Sequence, residues 1–256
     1  MGTATPLRRL DMDYQNDLIE KYQGIVTKET DVFSGVPREV LNSSISIEAK
    51  GLYCFIIYNS STSAKYKGRA ALNCTTIDSI RKSVKWGNPT VAVANRKMIR
   101  QYLQELVDHN FIKIIEHNQI IDIVFPGLET FDSKGFAKLY PETVSKIVNA
   151  TKGKTMLKRL VVYAQLRTLI FENSKDSRIL EKSNNYLAKV LGMARSSVAN
   201  HMQWMREHEV LAYFKCKMNR AIGYEKYYYA DMVDCHVLTE IIKGYQKQGE
   251  VKEIVE

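Results

Sequence analysis

One stretch constrains the fold more than any other: Tyr186 to Trp204, which reads YLAKVLGMARSSVANHMQW. Ala188 is followed four residues later by Gly192, and Val198 lies six residues beyond that. In a helix-turn-helix the small residue sits where the two helices approach most closely. The glycine supplies the positive φ of the turn, and the β-branched residue plugs the core between the helices. The spacing therefore predicts two short helices at a steep angle. Arg195, Ser196, Ser197, Asn200 and Gln203, with His201 beside them, fall on the N-terminal and outward face of the second helix. Arginine pairs with guanine, asparagine or glutamine with adenine, and serine with phosphate, so this face has the chemistry of a major-groove reader.

The flanking sequence extends the pattern. Helices are expected at Leu157 to Phe171, Asn184 to Leu191 and Arg195 to His208, followed by a hairpin of Leu211 to Lys217 and Tyr224 to Tyr229 around Asn219, Arg220 and Gly223. A hairpin carrying Lys215, Lys217, Arg220 and Lys226 suits a wing that touches the phosphate backbone. Tyr227, Tyr228 and Tyr229 either stack on bases of a single strand or pack against a helix, and packing is expected for at least one of them.

The first half repeats this order. Helical patterns at Ile47 to Tyr58, Ile77 to Val84 and Ala92 to His109 precede two β-rich runs, Phe111 to Glu116 and Gln119 to Phe125, spaced as a hairpin. In the third helix Asn95, Arg96, Lys97 and Arg100 are expected to face outward and Ile99, Leu103 and Leu106 inward. The alternative for the outward set is a solvated basic face. No clear glycine turn precedes this helix, Pro89 breaks the preceding stretch, and the hairpin tip His117, Asn118 and Gln119 carries no fixed charge. Lys50 and Leu52 in one half correspond to Lys158 and Leu160 in the other, 108 residues on, a weak internal repeat.

The expected fold is α+β, mainly helical, with two winged helix-turn-helix domains in tandem at 33–125 and 157–232. A flexible arm at 1–32, a structured linker at 126–156, and a C-terminal helix fraying into a charged tail at 233–256 complete the organisation.

Charge and composition limit the function. The 256 residues include 37 Lys plus Arg against 28 Asp plus Glu, a formal charge of +9 that points to an acidic partner. Residues 1–125 hold 16 basic and 13 acidic residues, and residues 126–256 hold 21 and 15, so the second half is expected to bind nucleic acid more strongly. Apolar runs such as Leu52 to Tyr58 fall well short of the ~20 residues of a membrane span, and no secretory signal is visible, so a soluble cytoplasmic protein is expected. Cys54, Cys74, Cys216 and Cys235 form no CxxC pair and read as reduced thiols, Cys54 in a core. No phosphate loop occurs, and the five histidines include no His-x-His pair. Neither enzyme activity, cofactor nor metal is expected.

Val36 to Leu41 (VPREVL) followed by Ser44 to Tyr53 (SISIEAKGLY) resembles the entry to the N-terminal winged helix of DnaD-like and related plasmid or phage replication initiation proteins, over roughly Val36 to Phe125. The resemblance implies a domain that binds origin DNA or recruits replication proteins. The expected function is sequence-specific binding of double-stranded DNA by an initiator of a mobile element. The alternatives are a transcriptional regulator, and an adaptor whose first domain recruits a protein partner. Direct repeats in the target suit a monomer with two reading helices, whereas a palindrome implies a homodimer.

Overall fold

Local capping signals set the frame of the central part of the chain. Ser46 accepts a hydrogen bond from the Ala49 amide and starts α3 (Ile47–Tyr58), and Thr76 does the same for α4 (Ile77–Ser83) through Ser79. Between them runs β3 (Arg69–Thr75). After α4 come α5 (Ala92–Asp108) and the hairpin β4 (Lys113–His117) and β5 (Ile120–Val124), closed by a two-residue turn in which Asn118 has φ +58°. With β2 (Ser61–Ser63) these strands form an antiparallel sheet in the order β2-β3-β5-β4. The strand that precedes α4 thus pairs with the last strand of the hairpin.

The computed structural model describes residues 7–25, 32–87, 91–127, 135–172, 178–219 and 224–256. It is α+β and mainly helical, with three small sheets among these residues. The chain divides into two units, Thr30–Thr168 and a second built from Met1–Glu29 together with Leu169–Glu256.

In the central unit Leu52, Ile56, Ile99, Leu103, Leu106 and Ile123 are fully enclosed, and Tyr53 meets Phe125 edge to face at 5.1 Å. Asn95 is the exception to the expected outward face of α5, because it is buried and its Nδ2 donates to the Trp86 carbonyl at 3.4 Å. The expected linker at 126–156 is part of this unit rather than a connection. Its β6 (Phe136–Leu139) pairs with β1 (Ser34–Pro37), which leads into the short α2 (Arg38–Asn42). It also contributes α6 (Pro141–Ala150) with Val144 and Ile147 buried. The following helix α7 (Gly153–Glu172) carries the division between the units, which falls at Leu169, 12 residues past the expected domain start at Leu157, because its first four turns pack in the central unit.

In the second unit α8 (Asn184–Leu191) and α9 (Arg195–Glu207) precede a hairpin of β7 (Leu211–Met218) and β8 (Glu225–Asp231). Leu180 forms a single antiparallel bridge with Tyr229, exchanging hydrogen bonds of 2.6 and 3.1 Å. A lone bridge therefore occupies the place that β3 holds in the central unit. Two expectations fail here. Residues 1–32 are not a loose arm throughout, since Leu7–Glu20 form α1, whose Ile19 joins a core with Phe214, Tyr228, Leu238 and Ile242. The C-terminal stretch does not fray: after α10 (Cys235–Lys247) the chain turns at Gly249 and adds β9 (Val251–Ile254) to the free edge of β7. Burial of Val251 and Ile254 holds it there.

Candidate nucleic-acid interface

The geometry around α8 and α9 follows from the three residues that the sequence singled out. Gly192 has φ +60° with no neighbouring atom within 4 Å of where a Cβ would stand, so it is the backbone conformation and not crowding that favours glycine. The Met193 amide donates to the Ala188 carbonyl at 3.1 Å and closes the end of α8, while Val198 and Leu187 are fully enclosed between the helices. This packing leaves Arg195, Ser196, Ser197, Asn200 and Gln203 exposed on α9, with His201 half-buried. Ser196, Asn200 and Gln203 lie four and three residues apart and so share one stripe. The N-cap of α9 is Ala194, which has no side chain to bond the first amides. Those amides remain available to an anion. Gln203 is partly committed, donating to Glu207 Oε1 at 2.8 Å.

The wing differs from expectation. Its three described lysines are ion-paired: Lys215 with Glu225 at 2.6 Å, Lys217 with Glu253 at 2.8 Å and Lys226 with Glu181 at 2.6 Å. Carboxylates from β8, β9 and the segment before α8 therefore offset the charge read as phosphate-binding. Arg220, expected at the tip, lies outside the described residues, as does Gly223. The tyrosines are also engaged within the fold. Tyr228 and Tyr229 are buried, Tyr227 stacks on Tyr229 at 5.7 Å, and the Arg206 guanidinium sits 5.2 Å from the ring centres of both Tyr213 and Tyr227. With Lys21 3.9 Å from the Tyr213 ring as well, this array fills its own ring faces and offers little to an unpaired base.

In the central unit the glycine turn read as missing is present in another form. Lys85 at φ +52° and Gly87 at φ +91° redirect the chain after α4, and a Cβ on Gly87 would meet the Asn95 side chain at 2.2 Å. Pro89 lies outside the described residues. Of the four α5 residues expected to meet DNA, Asn95 is withdrawn into the core as above. Arg96 donates to Asp78 Oδ1 at 3.2 Å and belongs to a cluster with Arg81 and Lys82. Hydrogen bonding from Arg81, aided by Lys82, pulls the Asp78 carboxyl down to about 2 despite some desolvation. Lys97 and Arg100 are exposed, with no ion-pair partner among the described residues.

The neutral wing tip conceals an anchor that sequence reasoning missed. Asp122 on β5 is wholly covered, although it lies near the surface, because its own partners enclose it. It accepts from Lys65 Nζ at 2.6 Å, from the Tyr66 hydroxyl and from the Cys74 amide at 2.6 Å, with His117 Nε2 3.2 Å away. The Lys65 hydrogen bond, then those of Tyr66 and Cys74, hold its carboxyl far below the ordinary range. The hairpin is thereby fixed to the preceding strand pair. The only sequence signal was one acid in an apolar run, IIDIVF.

Among the described residues no helix is long and apolar enough to cross a membrane, and no three His, Cys, Asp or Glu side chains converge as a metal site. Comparison with protein-family models, with curated proteins and with solved structures finds no match to this chain.

Proposed function

We propose that the protein binds double-stranded DNA sequence-specifically through two winged helices in tandem and acts as a replication initiator of a plasmid or phage-like element. The observation that carries the DNA-binding reading is the exposed polar stripe of α9, raised on a glycine turn and a buried valine. Its residue types match base edges in a major groove. The common element order supports the tandem reading: helix, strand or bridge, two helices, then a hairpin whose second strand pairs back to the first strand. The replication role rests on the resemblance of the Val36 to Phe125 segment to DnaD-like initiators.

Selection of fragments from random duplex DNA by the full chain tests the binding. An enriched motif is expected, and its absence would sink the reading. A footprint confined to a promoter, with no origin activity, would favour the transcriptional regulator instead. For the central unit an adaptor is the second reading, favoured by the withdrawal of Asn95 and the engagement of Arg96. Substituting Lys97 and Arg100 by Ala separates the two: a DNA contact predicts a shallower dependence of affinity on salt, an adaptor no change.

A further inference from the structure

Helix α5 begins unlike α9. Where α9 opens on Arg195, Ser196 and Ser197, α5 opens on Val91, Ala92, Val93 and Ala94. Val93 is 73% exposed and Val91 46% exposed. A single exposed valine needs no explanation. The position of this pair does, because Val91 is the N-cap of the helix and Val93 stands in its first turn. Along the helix Val93, Lys97, Arg100 and Gln104 are spaced by four, three and four residues and are all exposed. The stripe is therefore apolar at its tip, cationic in the middle and polar at its end. An occupant must match both an apolar spot and two cations that lack ion-pair partners among the described residues.

Duplex DNA presents that combination at a thymine: an apolar 5-methyl group in the major groove, flanked by phosphates. Taking the DNA-binding reading above as its basis, we infer that the central unit reads thymine methyl groups, with Val93 as the principal specificity-determining residue, Val91 beside it, and Lys97 and Arg100 neutralising adjacent phosphates. The two units then read different chemistry. Arg195, Ser196, Asn200 and Gln203 sort bases by hydrogen bonds, whereas Val93 sorts them by an apolar contact. Each binding site consequently has two dissimilar halves, one of them containing thymine, and is not a simple repeat of one half-site.

The test uses the full chain and the duplex obtained by selection. Each thymine is replaced in turn by deoxyuridine, which pairs identically and lacks only the methyl group. One or two positions are expected to lose about fourfold in affinity, the value of one buried methyl. Val93→Ala is expected to lose a similar factor on the thymine duplex and to gain no further loss on the deoxyuridine duplex. Asn200→Ala, in the other unit, is expected to keep the deoxyuridine sensitivity. Insensitivity at every thymine, or a Val93→Ala protein that retains the sensitivity, overturns the inference while leaving DNA binding intact and assigns the apolar tip to a protein partner. A full chain that binds no duplex at all overturns both readings.

Discussion

Asp122 shows how much one side chain can fix. Four groups from three segments converge on it, among them the amide of Cys74, a residue held at φ +52° where the pairing of β3 with β5 shifts register. Because its partners hold the folded carboxyl well below the ~3.9 of an unfolded Asp, its contribution is fully present above about pH 4 and is lost as the pH falls toward the folded value. Asp122→Asn is therefore expected to lower the melting temperature at pH 7, and the difference from the parent is expected to shrink between pH 4 and pH 2. A constant difference across that range would contradict the role given to the carboxylate. Gly51 supplies a steric counterpart. A Cβ there would lie 2.3 Å from the Leu157 carbonyl oxygen, a backbone atom that cannot step aside, so Gly51→Ala is expected to cost about 1–3 kcal/mol in denaturant unfolding. Gly192→Ala meets no neighbour and is expected to cost only about 1–2 kcal/mol, through its positive φ.

Between elements, local signals and distant partners separate clearly. The turn between α8 and α9 was legible because Ala188, Gly192 and Val198 act within a few residues of themselves. The pairing of the wing lysines was not, since Glu181 lies 45 residues from Lys226 and Glu253 lies 36 from Lys217, and only the folded sheet brings them together. Asn95 was misread for a different reason: its polar side chain outweighed its position four residues before Ile99, which places it on the inward stripe, where the turn at Lys85 to Gly87 delivers the Trp86 carbonyl to it. Strand β3 escaped notice because its sequence, RAALNCT, has only Ala71 and Thr75 buried and so shows no alternation. These pairings shift the expected DNA affinity from the wing to the helix. Arg195→Ala is expected to cost about tenfold or more in affinity and to relax preference at one base position. Lys217→Ala, already offset by Glu253, is expected to change affinity less than threefold. Titrations of both variants at two salt concentrations decide between them, and equal losses would restore the wing as a main contact.

At the scale of the whole chain, one unit is assembled from both ends of the sequence and the other lies between them in the sequence. The N-terminal 32 residues read as an arm because the apolar positions that matter, Leu18, Ile19 and Tyr22, are too few to show a period among polar neighbours. Their contacts are specific nonetheless. The Gln15 side chain both donates to the Ile254 carbonyl and accepts from the Ile254 amide, each at 2.7 Å, and the Tyr22 hydroxyl accepts from the Tyr213 amide at 2.7 Å. Residue 15 thus completes the hydrogen bonding of the last strand, 239 positions away. Removing residues 1–24 forfeits the burial of Ile19 and leaves these groups of β7 and β9 without their partners. The second unit is expected to lose about 2–4 kcal/mol as a result. Hydrogen exchange localises the effect: the amides of Ile254 and Tyr213 should lose protection while those of α3 and α5 keep theirs. Gln15→Ala should reproduce the change at Ile254 alone. If the truncated chain instead kept full protection in β9, α1 would be dispensable and the C-terminal segment would form a unit by itself.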